Sequence, residues 1–83
     1  MDKARIGIIG GTGLMGKWFK KFFEKNGCEV LISGRKTKLK PRTCASISNV
    51  VIITVPISVT INVIKDIAPY VHQDALLMDL TSL

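Results

Sequence analysis

Three glycines near the start of the chain have the spacing of a phosphate-binding turn. Gly11, Gly13 and Gly16 fit the pattern G-x-G-x-x-G, and Gly10 adds an overlapping G-x-x-G-x-x-G spacing. We expect Gly11 to allow a tight turn, Gly13 to let the backbone approach a pyrophosphate, and Gly16 to let a helix and a strand pack closely. The predicted phosphate-binding residues are Gly11, Thr12, Gly13, Leu14, Met15 and Gly16.

Such a pattern carries weight only between a strand and a helix, and the flanking residues predict both. Residues 5–9 are a short run of branched side chains, typical of a buried strand. After Gly13, apolar residues recur at four-residue spacing, which predicts an amphipathic helix that ends near Asn26 and Gly27. Its stripe contains Leu14, Met15, Trp18, Phe19, Phe22 and Phe23. Unpaired N–H groups at the start of such a helix favour a phosphate.

The remaining elements complete a larger α/β unit. Residues 28–32 predict a second strand, residues 33–49 mostly loop, and residues 50–55 a strand covered on both faces. Ser58 or Thr60 could cap the next helix, and residues 75–80 predict a fourth strand. We therefore expect one domain over residues 1–83, with a Rossmann-like, doubly wound sheet of about four parallel strands and helices packed on it.

The choice of cofactor depends on the end of the second strand. In NAD-binding Rossmann domains an acidic residue about 20 residues beyond the glycines binds the ribose 2′-hydroxyl. Here that position is Ser33, and no acid lies between Glu29 and Asp66. A hydroxyl at Ser33, a free backbone amide and the cations of Arg35 and Lys36 would instead bind a 2′-phosphate. The sequence predicts NADP as the cofactor, with NAD as the alternative.

The net charge of +6 has a local origin, because five of the 12 basic residues lie between positions 35 and 42. For Lys38, Lys40 and Arg42 a solvated basic loop is the simpler interpretation. A nucleic-acid partner would need interleaved aromatic residues or a recognition helix, and the segment has neither. No apolar run approaches the about 20 residues that span a bilayer, and neither cysteine has metal-ligand spacing. We expect a cytoplasmic protein with no membrane, nucleic-acid or metal partner.

Beyond the glycines, three segments resemble prephenate dehydrogenases: residues 10–19, residues 53–60 with the V-P-I-x-V-T element, and residues 76–82 with the D-L-T-S ending. The resemblance implies oxidation of prephenate with NAD(P) and loss of carbon dioxide, giving 4-hydroxyphenylpyruvate in tyrosine biosynthesis. It also implies that Ser82 lies near the substrate. The residues that it places along the cofactor are Val55, Pro56, Ile57 and Thr60.

Members of that family continue past this serine to a catalytic histidine and a helical dimerisation domain with substrate-binding arginines, whereas this chain ends at Leu83. The one histidine, His72, precedes the motif and is expected at the surface. We therefore expect no catalytic residue, an inactive nucleotide-binding fragment, a homodimer, and prephenate binding only in a longer parent. Two alternatives stay open: another reductase, of the hydroxyisobutyrate or pyrroline-carboxylate type, and a nucleotide-sensing module without chemistry.

Overall fold

The computed structural model describes residues 3–80, which form a four-stranded sheet with helices on both faces. The strands are β1 (Arg5–Ile9), β2 (Glu29–Ser33), β3 (Val50–Ile53) and β4 (Leu76–Asp79). The helices are α1 (Leu14–Lys25), α2 (Pro41–Ile47) and α3 (Ile57–Ile67), followed by a 3-10 turn at Ala68–Tyr70. All strand pairs are parallel, which confirms the predicted Rossmann-like α/β fold.

The direction in which the chain adds strands to the sheet reverses at β1. The strand order is β2-β1-β3-β4, so the chain adds β2 on one side of β1 and then returns to add β3 on the other. Ile9 is level with Ser33 in β2 and with Ile53 in β3, so these three strands end together. The carboxyl edge between β1 and β3 is therefore the switch point, where open α/β sheets bind ligands.

Successive residues of a strand point to opposite faces, and each face of β1 has its own core. On one face, Ile6 and Ile8 pack with Ile52 and are covered by Phe19 and Phe23 of α1. On the other face, the sheet packs against α2 and α3; this cluster contains Ile9, Cys44, Ala45, Val51, Ile53 and Ile67. Packing in these two cores places α1 on one side of the carboxyl edge of the sheet and α3 on the other.

The prediction of mostly loop over residues 33–49 is wrong for α2. Pro41 does not prevent the helix, because it occupies the first turn, where its missing N–H costs nothing. Cys44 and Ala45 are fully buried against the sheet. With so few apolar residues in a short helix, their helical periodicity is too weak to recognise in the sequence.

The apolar stripe of α1 is only partly buried, although the helix and its end at Asn26 agree with the prediction. Phe19 and Phe23 pack on the sheet, whereas Leu14 is 90% and Trp18 61% exposed. The stripe is wider than the contact with the sheet, because only Phe19 and Phe23 of the stripe pack against the core on that face. Trp18 instead stacks on the half-exposed ring of Phe22, with 5.5 Å between ring centroids.

The start of α3 also differs from the prediction. The helix begins at Ile57 after Pro56, and no side chain caps it. The Thr60 hydroxyl instead donates a hydrogen bond of 3.1 Å to the carbonyl of Pro56. Within residues 3–80, none of the helices has the length and hydropathy needed to cross a bilayer.

Candidate functional site

The glycine turn leaves β1 through a left-handed residue. That residue is Gly10, with φ 85°, and its N–H donates to the carbonyl of Ser33 at 2.7 Å. A Cβ on Gly10 would be strained and would lie only 2.9 Å from Cγ1 of Val55. Gly11, which is expected to allow the tight turn, lies within this turn, but the positive φ belongs to Gly10 and not to Gly11.

Gly11 and Gly16 are required for packing. A Cβ on Gly16 would overlap the backbone of Gly11, so the first turn of α1 rests directly on the turn that precedes it. A Cβ on Gly11 would lie 2.6 Å from Cδ1 of Ile32 in β2. Gly16 thus permits the close approach that the sequence predicts, although its contact is the turn backbone and not a strand.

Gly13 differs from its neighbours because the protein leaves it room for a side chain. It is the N-cap of α1, it is exposed, and a Cβ there would have no atom nearer than the carbonyl oxygen of Gly10 at 3.9 Å. Its own φ of −81° suits any residue. Neither the backbone conformation nor the packing of the protein therefore excludes a side chain at this position. A phosphate bound against it would exclude one.

The N-terminus of α1 is open to an anion. No side chain caps it, and no acidic residue lies in its first turn. The first intrahelical hydrogen bond runs from the Lys17 N–H to the Gly13 carbonyl at 3.0 Å. The N–H groups of Leu14, Met15 and Gly16 precede that bond and have no intrahelical acceptor, so they carry the partial positive charge of the helix end.

A crevice of about 350 Å³ adjoins this helix end at the switch point between β1 and β3. Its lining residues are Gly10, Gly13, Leu14, Met15, Gly16, Thr54, Val55, Pro56 and Leu80. Thr54 was not predicted, although its position just after a parallel strand could have indicated it. Its N–H and hydroxyl both donate to the Ile9 carbonyl, at 2.9 and 3.1 Å, and so hold the ends of β1 and β3 together.

The residues predicted along the cofactor separate into two groups. Val55 and Pro56 line the crevice, where a cofactor along the sheet edge could reach them. Ile57 is 56% exposed and does not line it. Thr60 is buried, with its hydroxyl bonded to Pro56, so its predicted place beside the cofactor is not supported. Ser82, predicted near the substrate, lies outside the described residues.

The segment predicted to bind a 2′-phosphate lies next to the glycine turn. A Cβ on Gly34 would be in van der Waals contact with Thr12, at 3.4 Å from Cγ2. Arg35 and Lys36, which follow, are both exposed. Two parts of the prediction are wrong. Ser33 is fully buried and its hydroxyl has no hydrogen-bond partner, while the Gly34 N–H is not free but donates to Thr37 Oγ1 at 2.8 Å.

The rest of the basic segment has another role. Arg42 donates to one carboxylate oxygen of Asp66 in α3, at 3.0 and 2.7 Å, and lies over the ring of Tyr70. The hydrogen bond and charge of Asp66 raise the pKa of Arg42 above its usual value. This residue therefore joins α2 to α3, and Lys38 and Lys40 are exposed.

A larger hollow, of about 450 Å³, lies at the opposite edge of the sheet, where strands begin. The Arg5 guanidinium there is already bonded to Glu29 at 2.8 Å and to the Ile47 carbonyl at 3.1 Å. His72 is exposed at this edge, as predicted, and does not face the crevice. Among residues 3–80, no group of histidine, cysteine and acidic side chains could hold a metal ion. The carboxyl edge is thus the better candidate site.

Comparison with known proteins gives a consistent result. Residues 21–83 match the family described as prephenate dehydrogenase, nucleotide-binding domain. The chain is 37% identical to a probable arogenate/prephenate dehydrogenase of Methanocaldococcus jannaschii over 92 residues, covering 94% of this chain and 21% of that protein. It is 33% identical to the T-protein of Haemophilus influenzae over 81 residues, covering 98% of this chain and 22% of that protein.

A T-protein of Enterobacter agglomerans is 36% identical over 75 residues, covering 90% of this chain and 20% of that protein. The chain thus spans about a fifth of the length of these relatives. The family match begins inside α1, but the alignment with the Haemophilus protein covers almost the whole chain and so includes the glycine turn. Together with the parallel sheet and the open helix end, these matches show that the chain belongs to the family of prephenate dehydrogenase nucleotide-binding domains.

Proposed function

We propose that this chain binds NADP across the carboxyl edge of its sheet, with the pyrophosphate on the N–H groups at the start of α1. The observation that carries this proposal is the open space at Gly13. This residue is the N-cap of a helix with no side-chain cap, and the protein itself leaves room for a side chain there, so the space is open to a phosphate. In this orientation the crevice beside Val55 and Pro56 would receive the nicotinamide side of the cofactor.

The preference for NADP over NAD rests on charge, because Ser33 is buried and Gly34 is bonded within its own loop. Arg35 and Lys36 extend from the segment that lies against Thr12, and no acid occurs in residues 30–65 to repel a 2′-phosphate. A charge-assisted hydrogen bond from one such cation contributes about 1.5–3 kcal/mol. That range is enough to separate the affinities of the two cofactors by about tenfold or more.

We further propose that the whole protein is an NADP-dependent dehydrogenase of prephenate or arogenate, the compounds in the name of the Methanocaldococcus relative. Oxidation of a ring alcohol needs a base for the hydroxyl proton while hydride passes to the nicotinamide. Among the described residues, none that lines the crevice is titratable. The 83-residue chain should therefore bind the cofactor without turning over substrate.

Calorimetric titration of the purified chain with NADP and with NAD tests the binding proposal. We expect NADP to bind about tenfold or more tightly than NAD. If neither NADP nor NAD binds, the proposed site is contradicted. If the two bind with equal affinity, the proposed preference for NADP is contradicted. Turnover of prephenate by the 83-residue chain would contradict its inactivity.

The broader proposal is tested on a longer natural reading frame, if one contains this chain, with prephenate and arogenate as substrates. Reduction of NADP with either substrate supports the dehydrogenase, and binding without turnover would favour the nucleotide-sensing alternative. We do not propose a hydroxyisobutyrate- or pyrroline-carboxylate-type reductase, since the matched relatives are prephenate dehydrogenases and T-proteins. A cytoplasmic location and a homodimer stay predictions.

A further inference from the structure

We infer that Thr37 is a positioning residue for cofactor specificity: its hydroxyl holds the segment of residues 34–39 in the shape that presents Arg35 to a 2′-phosphate. The inference rests on the proposed binding of NADP. The segment joins β2 to α2, and it contains two of the cations assigned to the phosphate, Arg35 and Lys36.

One hydroxyl group connects both ends of the segment. Thr37 Oγ1 accepts a hydrogen bond from the Gly34 N–H at 2.8 Å and donates one to the Leu39 carbonyl at 2.7 Å. The Gly34 carbonyl, at 3.0 Å, is the competing acceptor for the same proton. Thr37 is partly buried, so these bonds are shielded from water. The backbone between Gly34 and Leu39 is thus folded around a single side chain.

The folded segment lies next to the phosphate turn. A Cβ on Gly34 would lie 3.4 Å from Cγ2 of Thr12, which lies between two glycines of that turn. Arg35 is the next residue, so its backbone is close to the turn. Without the Thr37 hydroxyl, the segment would have to be ordered when the nucleotide binds, and that ordering reduces affinity.

The hydroxyl is expected to act through Arg35 and not by touching the phosphate. Thr37 has one proton to donate, and a backbone carbonyl already accepts it. A phosphate oxygen needs a donor, which the guanidinium of Arg35 supplies. Because NAD lacks the 2′-phosphate, loss of this arrangement should weaken NADP and leave NAD unchanged.

The test is calorimetric titration of Thr37→Val, Thr37→Ser and Thr43→Val with NADP and with NAD. Valine keeps the shape of Thr37 and removes both bonds, serine keeps the hydroxyl, and Thr43 is an exposed threonine of α2 that serves as the matched control. We expect Thr37→Val to reduce the NADP-to-NAD affinity ratio about three- to tenfold. The ratio should stay at the wild-type value in Thr37→Ser and in Thr43→Val.

Several results would overturn the inference. An unchanged ratio in Thr37→Val would do so, and so would an equal loss of both cofactors. In an Arg35→Ala background, Thr37→Val should have a much smaller effect on the ratio than in the wild type, and fully additive losses would mean that Thr37 does not act through Arg35. If the wild-type chain shows no preference for NADP, the proposed cofactor preference fails first, and this inference, which rests on it, fails with it; a wild-type preference that Thr37→Val leaves unchanged would overturn the inference alone.

Hydrogen exchange on the wild-type chain gives a readout that does not depend on any variant folding. The Gly34 amide, which donates to Thr37, should exchange more slowly than the amides of Arg35 and Lys36 in the nucleotide-free protein. Exchange of Gly34 as fast as that of its neighbours would show that the hydroxyl does not hold the segment.

Discussion

The backbone of Gly11 occupies the space that a side chain on Gly16 would need. Between these two residues in the sequence lies Gly13. The nearest atom to a Cβ on Gly13 would be the carbonyl oxygen of Gly10, at 3.9 Å. A single turn therefore contains one glycine, Gly16, that close packing requires, and another, Gly13, at which the protein itself leaves room for a side chain. This difference separates the stability of the domain from its binding of nucleotide, and each can be tested alone.

Replacing Gly16 with alanine should destabilise the protein. The added methyl group must push α1 away from the turn, because its neighbour is backbone and cannot rotate aside. Overpacking of this kind costs about 1–3 kcal/mol. The measurement is the free energy of unfolding in urea, with Gly13→Ala as the control, which we expect to stay close to wild type. Equal stabilities of the Gly16→Ala and wild-type chains would contradict the close contact.

Replacing Gly13 with valine should leave the fold intact and weaken nucleotide binding. Its φ of −81° and the space around it allow a side chain, so the variant should fold with a normal circular dichroism spectrum. The side chain would fill the place assigned to the pyrophosphate, so we expect NADP affinity to fall at least about tenfold. Wild-type affinity in the folded variant would remove the basis for the proposed site.

Arg35→Ala should abolish the preference for NADP. Arg35 is exposed and follows Gly34, which lies next to the phosphate turn, and its loss would remove the proposed charge-assisted bond, worth about tenfold or more in affinity. Affinity for NAD should not change. Lys38→Ala is the matched control, because it removes the same charge from the same segment. An equal effect of the two substitutions would mean that general attraction, and not a specific contact, underlies the preference.

Stability should also depend on pH through Cys44. Burial raises the pKa of its thiol above the usual 9.0, so the folded state favours the protonated form. The resulting stabilisation is complete below the unfolded pKa and is lost as the pH rises above about 9, at no more than about 1.4 kcal/mol per pH unit. Urea unfolding over this range should give a shallower decline for Cys44→Ala than for wild type.

The sequence was sufficient for the sheet because its strands have local signatures. The branched run at residues 5–9 coincides with β1, and the later apolar runs coincide with β3 and β4 to within two residues at each end. It was not sufficient for α2, where burial of Cys44 and Ala45 stabilises a helix that has little periodicity of its own. That burial is set by the sheet beneath the helix, which no local pattern reports.

Within the site, the sequence predicts the positions of residues in the chain but not their conformations or contacts. The glycine spacing identified the turn, but only the backbone distinguishes Gly10, which has positive φ, from Gly11, which packs. Likewise, the position of Ser33 at the end of its strand was correct, yet its side chain points into the core. Thr37 was missed entirely, because its hydrogen bonds depend on the path of a loop that has no repeating pattern.

The most direct test of the nucleotide site is the amide spectrum of the ¹⁵N-labelled chain during titration with NADP. We predict that the largest shifts occur at Gly13, Leu14, Met15 and Gly16, because their N–H groups lie at the start of α1, with a second group at Arg35. Shifts confined to the opposite edge of the sheet, around Asn49 and His72, or no shifts at millimolar NADP, would contradict the account.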